Sequence, residues 1–240
     1  MGKTAGPRGD SGAPAPRAGS SLSADLWAGG AALRRAILGH PFVRGLGDGS
    51  LPPERYQEYM RQDYLFLIDY ARVLALAAAA AEAPADMVFL TGLLHATLRD
   101  EMALHRRACA AQGIPPEDLD GTPAAPQTHA YTRHLLAVAR SEPTGVVTAA
   151  LLPCQWGYAE IGAALAAGPR PPIAAYAAWI DAYAGPAYQE TARAMVRLCD
   201  RLGEEMGPAE RRRARLAFDV SLRCEFLFWD GCWHGRRWPG

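Results

Sequence analysis

The chain has 240 residues, of which 50% are hydrophobic and 21% charged, enough for a helical domain to bury a substantial core without disulfides or a structural metal. Its 25 Lys and Arg balance 25 Asp and Glu, so no electrostatic case exists for nucleic acid or a membrane surface as partner. The five cysteines are odd in number and form no CxxC pair, which excludes a disulfide framework and a zinc ribbon.

In chain order, residues 1–21 are rich in Gly, Pro, Ala and Ser and lack bulky apolar groups, a composition that predicts a disordered tail. Residues 22–240 read as one all-α domain, because no segment alternates with period two and Pro/Gly clusters separate long runs of helical period. Ser23 is the expected cap of a first helix ending near residue 39, followed by a glycine-rich loop over 42–50. Pro52 or Pro53 opens a long helix to about residue 82. Further helices are predicted over 86–112, from 127 to just before Pro143, over 143–167, over 173–183, up to about 206, and over 209–233. The uncharged stretch 143–159 is too short to span a bilayer. No apolar run marks a signal peptide, and with the unpaired cysteines this points to a cytoplasmic location.

Three polar residues fall where core is expected. Asp63 shares a helix face with Tyr56, Tyr59, Met60, Phe66, Leu67 and Tyr70. A carboxylate in that stripe needs a partner, either a tyrosine or arginine within the fold or a ligand. Cys154 follows Pro153 inside a helix, where the missing N–H should kink the chain and open the thiol to a pocket. Tyr158 lies one turn on. The alternative is an inert thiol packed as a small hydrophobe. Glu225 shares a face with Phe218, Ser221, Phe228, Trp229 and Cys232. Such a carboxyl should titrate high, as proton transfer near neutrality requires, unless it pairs with an arginine such as Arg223 or Arg61. Cys109, Cys199, Cys224 and Cys232 have no comparable context and read as structural.

The spacing Glu101/His105, repeated at Asp230/His234, admits a helical di-iron oxygenase. Arg99, Arg106 and Arg107 around the first pair instead suggest a solvated charged face. A non-catalytic binder or regulator is a third reading.

The blocks HPFVRGLGDGSLPPERYQEYMRQDYLFLIDYARVLAL, RDEMALHRRACA, AYTRHLL, ALLPCQWGYAEIG, WIDAYAG and CEFLFWD, in this order between about residues 40 and 233, resemble the TenA family, also called thiaminase II or aminopyrimidine aminohydrolase. ALLPCQWGYAEIG is the most specific and resembles the cysteine-containing branch. The resemblance implies a heme-oxygenase-like bundle without heme and hydrolysis of 4-amino-5-aminomethyl-2-methylpyrimidine to the hydroxymethyl compound for thiamin salvage. Thiamin cleavage is implied as a side activity. The resemblance further implies a homotetramer and no metal or organic cofactor. Carried over by position, it makes Cys154 the nucleophile, Glu225 the acid/base and Asp63 the pyrimidine-binding carboxylate. Tyr131, Tyr158 and Tyr183 become pocket tyrosines. Where family members often carry a tyrosine three residues after the aspartate, this chain has Phe66. That leaves Tyr131 or Tyr183 to support the thiol.

Overall fold

The computed structural model describes residues 20–239; most of the expected tail, residues 1–19, lies outside them. Among the described residues there is no strand.

The first stretch is three short helices, α1 (Leu22–Gly29), α2 (Ala31–Leu38) and α3 (Pro41–Asp48), where the sequence predicts one helix and a loop. Ser21, not Ser23, caps α1, accepting from the Ala24 N–H. Ser23 instead donates its hydroxyl to Asp200 at 2.9 Å. The turn residue Gly30 has no room for a Cβ, because the side chains of Leu222 and Phe218 occupy that space. The segment expected as a loop is helical because Phe42, Val43 and Leu46 are fully buried on one side of it. His40 Nδ1 accepts from the Phe42 N–H at 3.2 Å at one end. Gly49, at φ 84°, stops the helix at the other. Tertiary burial here outweighs poor glycine propensity.

The remaining helices are α4 (Pro53–Ala80), α5 (Pro84–Ala96), α6 (Met102–Ala111), α7 (Pro116–Asp120), α8 (Pro126–Ser141), α9 (Thr144–Ala166), α10 (Ala174–Ala184), α11 (Pro186–Glu205) and α12 (Pro208–His234). Most open on proline, which costs nothing at a position whose N–H has no intrahelical acceptor. A π-helical turn, Thr97–Glu101, joins α5 to α6, so the predicted helix over 86–112 is one rod with an extra residue in its middle. The short α7 has no counterpart in the sequence reading.

Helix α9 is the centre of the molecule. It packs most extensively on α12, then on α11 and α10. From Thr144 to Gln155 it is buried on every side, which explains its uncharged composition. Pro153 leaves the Ala149 carbonyl without its usual donor, yet the helix continues through it. Helix α4 lies against α8 and α5 and supplies a second buried wall. Among the described residues no helix is long and apolar enough to cross a membrane.

Candidate active site

Between α4, α9, α10, α11 and the π turn lies a narrow cavity lined by Asp63, Phe66, Leu67, Tyr70, Glu101, Cys154, Gln155, Tyr158, Tyr183 and Tyr188. Of the residues singled out in the sequence, Asp63, Phe66, Cys154, Tyr158 and Tyr183 are on its wall. Tyr131 and Glu225 stand behind the thiol, and Glu225 lines a separate crevice with Pro153, Gly157 and Trp229.

Cys154 comes from the centre of α9 and is 6% exposed; its thiol donates to the Leu151 carbonyl at 3.0 Å. Burial pushes the thiol well above its usual range and the Glu225 charge adds to this, while hydrogen bonding from the Tyr131 hydroxyl pulls the other way. The single hydroxyl proton of Tyr131, from α8, goes to Glu225 Oε1 at 2.9 Å and can turn to the sulfur once a thiolate forms, which ties the carboxyl to the thiol. Among the described residues Glu225 has no arginine partner of the kind the sequence suggested. Burial lifts it to about 8 against the opposing Tyr131 bond. Phe66 packs on Tyr131 with ring centroids 5.0 Å apart and on Tyr70 at 5.9 Å.

Asp63 finds its partners in His105 and Tyr59. His105 Nε2 lies 2.7 Å from Asp63 Oδ2, and the Tyr59 hydroxyl donates to the same oxygen at 3.3 Å. Burial pushes the His105 imidazole down, but the bond and charge of Asp63 outweigh it and hold it above its usual value.

This overturns the reading of Glu101 and His105 as a solvated charged face. His105 is buried and the Glu101 carboxyl is enclosed, although part of that residue stays exposed. Arg99, Arg106 and Arg107 are exposed, with Arg107 at the rim of the groove that Glu101 and His105 also line, so the flanking charge is solvated while the two groups between the arginines turn inward. Burial raises Glu101 to about 7, with His105 opposing and Asp63 reinforcing the shift. Asp230 and His234, the other pair at that spacing, lie at the end of α12, where Arg236 bonds Asp230 at 2.6 Å.

Tyr70, Gln155 and Tyr188 also line the cavity and escaped the sequence reading. The Tyr70 hydroxyl donates to Gln155 Oε1 at 2.8 Å. Gln155 directly follows the thiol and Tyr70 shares the Asp63 face, so both carried a signal; Tyr188, one turn into α11, carried none. Tyr158 packs on Tyr183 at 5.1 Å and on Trp229 at 5.3 Å, and Trp179 on Tyr183 at 4.4 Å. The site thus offers a thiol, three carboxyls and aromatic walls, a set suited to holding a flat polar ring while a covalent bond forms to it.

An aminopyrimidine aminohydrolase from Halalkalibacterium halodurans is 37% identical over 221 residues, covering 91% of this chain and 98% of the relative. One from Bacillus subtilis is 33% identical, covering 83% and 84%. A solved structure from Silicibacter sp. TM1040, described as a TenA family transcription regulator, is 34% identical with a TM-score of 0.82, covering 88% of this chain and 96% of that one. A domain from Shewanella denitrificans, described as having a heme oxygenase-like fold, superposes with a TM-score of 0.68 at 15% identity, covering 88% and 92%. Fold, site and relatives define the class: a helical enzyme with a heme-oxygenase-like fold, a hydrolase of C–N bonds. More particularly, the chain belongs to the TENA/THI-4/PQQC family, whose model matches residues 30–235.

Proposed function

We propose that the protein is an aminopyrimidine aminohydrolase that converts 4-amino-5-aminomethyl-2-methylpyrimidine to the hydroxymethyl compound for thiamin salvage, with thiamin itself cleaved as a side activity. The observation that carries this reading is the enclosed Cys154 thiol, linked through Tyr131 to Glu225, in a cavity that also holds the Asp63 carboxylate.

The ring lies between tyrosine faces. The Tyr59 hydrogen bond and the His105 ion pair both fall on Asp63 Oδ2, which leaves Oδ1 to accept from the exocyclic amine of the substrate. The thiol adds to a ring carbon while its proton passes by way of Tyr131 and Glu225 to the adjacent ring nitrogen. The ring is now electron-rich. The exocyclic amine pushes electrons through it, the aminomethyl C–N bond breaks, and the aminomethyl nitrogen, which enters as the ammonium, leaves with the bonding pair as neutral ammonia. Water adds to the resulting methylene. Expulsion of the sulfur, with the ring-nitrogen proton returning to Glu225, restores aromaticity. No step uses a metal or an organic cofactor.

A thiol nucleophile must stay reduced, which favours the cytoplasm. The exposed apolar side chains Met87, Val88, Leu98 and Leu104, all on the α5–α6 rod, are surface that a homotetramer would cover.

The test is ammonia release from the aminomethylpyrimidine, with thiamin run in parallel. Cys154→Ser should lower turnover at least about 10³-fold, ~4 kcal/mol of barrier, with the helical fold intact. A serine variant that still turns over near the wild-type rate refutes covalent catalysis.

A further inference from the structure

The reaction just proposed needs a base twice at different places. One site is the ring nitrogen. The other is the water that replaces the amine, and for that step we propose a second carboxyl, Glu101, as the general base. This rests on the reading above and adds a catalytic residue to it.

The argument starts from the ring. For the added sulfur to help expel the amine, it must sit on the carbon next to the one bearing the methylene. The exocyclic amine sits on the carbon at the other side. The thiol and the amine-binding carboxylate therefore bracket the methylene. The protonated ring nitrogen lies beyond the sulfur-bearing carbon, away from the methylene. Glu225 serves that nitrogen from behind the thiol, held by Tyr131 and facing the crevice of Pro153 and Trp229. It is poorly placed to reach water at the methylene.

Glu101 is a carboxyl on the wall of the cavity itself, together with Cys154 and Asp63, whereas Glu225 is not on that wall. Glu101 Oε1 accepts from the Tyr183 hydroxyl at 3.4 Å, which leaves Oε2 for water.

A second observation is independent of the first. The cavity adjoins a wider groove between the α5–α6 rod and α10, with alanines among its apolar lining, and the two share Glu101, Gln155, Tyr183 and Tyr188 on their walls. Glu101 thus stands at the neck through which the amine leaves and water arrives. The π-helical turn ends at this residue, and its extra residue carries Glu101 and His105 inward while the neighbouring arginines stay out.

In the step, water forms a C–O bond to the methylene and gives one proton to the Glu101 carboxylate, and the electron pair of the methylene double bond returns to the ring. Expulsion of sulfur follows as above. The base must be ionised, and Glu101 titrates at about 7. The groups facing it are Asp63 and Tyr70 from α4, His105 from α6, Cys154 from α9, Tyr183 from α10 and Tyr188 from α11, with Asp100 and Arg107 on the wall of the adjoining groove. Turnover should rise with pH through about 7 on this account.

Glu101→Gln keeps an acceptor for Tyr183, so the fold should survive; circular dichroism and the melting temperature check this. It should lower kcat about 10²-fold or more with KM nearly unchanged, and the rising limb near neutrality should vanish. Alkylation of Cys154 should proceed as in the wild type. Azide attacks without needing a base, so Glu101→Ala with azide should recover turnover and yield the azidomethylpyrimidine, whereas Glu225→Ala should not be rescued. Wild-type kcat in Glu101→Gln overturns the inference, as does a loss of rate that azide fails to restore. Wild-type protein inert toward the aminopyrimidine removes the underlying reading itself, a result distinct from either.

Discussion

Tyr131 is the residue on which two acidities meet. Its hydroxyl lowers both the Cys154 thiol and the Glu225 carboxyl, against a burial effect that raises each. Tyr131→Phe keeps the ring that packs on Phe66 and removes only that hydroxyl. Both groups should then titrate higher: the falling limb of the rate profile should move above about 8, and Cys154 alkylation at a fixed pH should slow. We expect turnover to fall about 10- to 100-fold. A falling limb that stays in place would show that Tyr131 does not couple the pair. At this scale the sequence was informative wherever a polar group interrupted an apolar face, as at Asp63, Cys154 and Glu225. It misled at Glu101 and His105, because flanking arginines disguise an inward pair and the π turn that turns them inward has no marker in composition. It was silent on the Asp63–His105 contact, which joins residues 42 apart in the chain on two different helices.

At the scale of elements, the aim of Tyr183 depends on how closely α10 approaches α9. The contact is made at Gly162, where a Cβ would lie 2.6 Å from the Tyr183 carbonyl carbon and 2.8 Å from the Ala184 nitrogen. Alanine would gain about 1 kcal/mol of helix propensity there, but backbone cannot yield as a side chain does, so overpacking of about 1–3 kcal/mol should prevail. Gly162→Ala should therefore lower the melting temperature by a few degrees and reduce kcat, because the Tyr183 hydroxyl moves away from Glu101. An unchanged melting temperature with full activity would mean that the helices separate freely. Helix boundaries were legible where proline opens the element, as at Pro53, Pro126 and Pro208. They were illegible over 42–50, where three glycines suggest a loop and only the core under Phe42, Val43 and Leu46 makes a helix.

For the molecule as a whole, the site is a cost to stability. Glu101 and Glu225 titrate at about 7 and about 8 in the fold against 4.5 for an ordinary glutamate. Between pH 4.5 and 8 the native state thus holds more protons than the unfolded chain, and stability falls as pH rises through that window. His105, also raised, acts in the same direction: its contribution is complete below the unfolded value and is lost as pH passes the folded one. Asp69, held low by Arg72 and Arg133 despite burial, acts oppositely and only in acid. His40 and His134, held low by burial, oppose the decline only below the ordinary histidine range, so the melting temperature should decline from neutral to alkaline pH. Glu225→Gln, which keeps an acceptor for Tyr131, should flatten that decline and melt above the wild type at alkaline pH, at the expense of activity. A variant that melts at or below the wild type there would contradict the raised carboxyl. The all-α class itself was plain from the absence of period-two alternation and from the uncharged run that became α9.

The enclosure of Cys154 also bears on durability. Peroxide attacks thiolates, not thiols, and only where it can reach them. All five cysteines are free and buried, and the catalytic candidate is held in its protonated form until a ring arrives to take up the proton. The resting protein should therefore withstand oxidative stress that would sulfenylate an exposed low-pKa nucleophile, and its sensitivity should appear only during turnover.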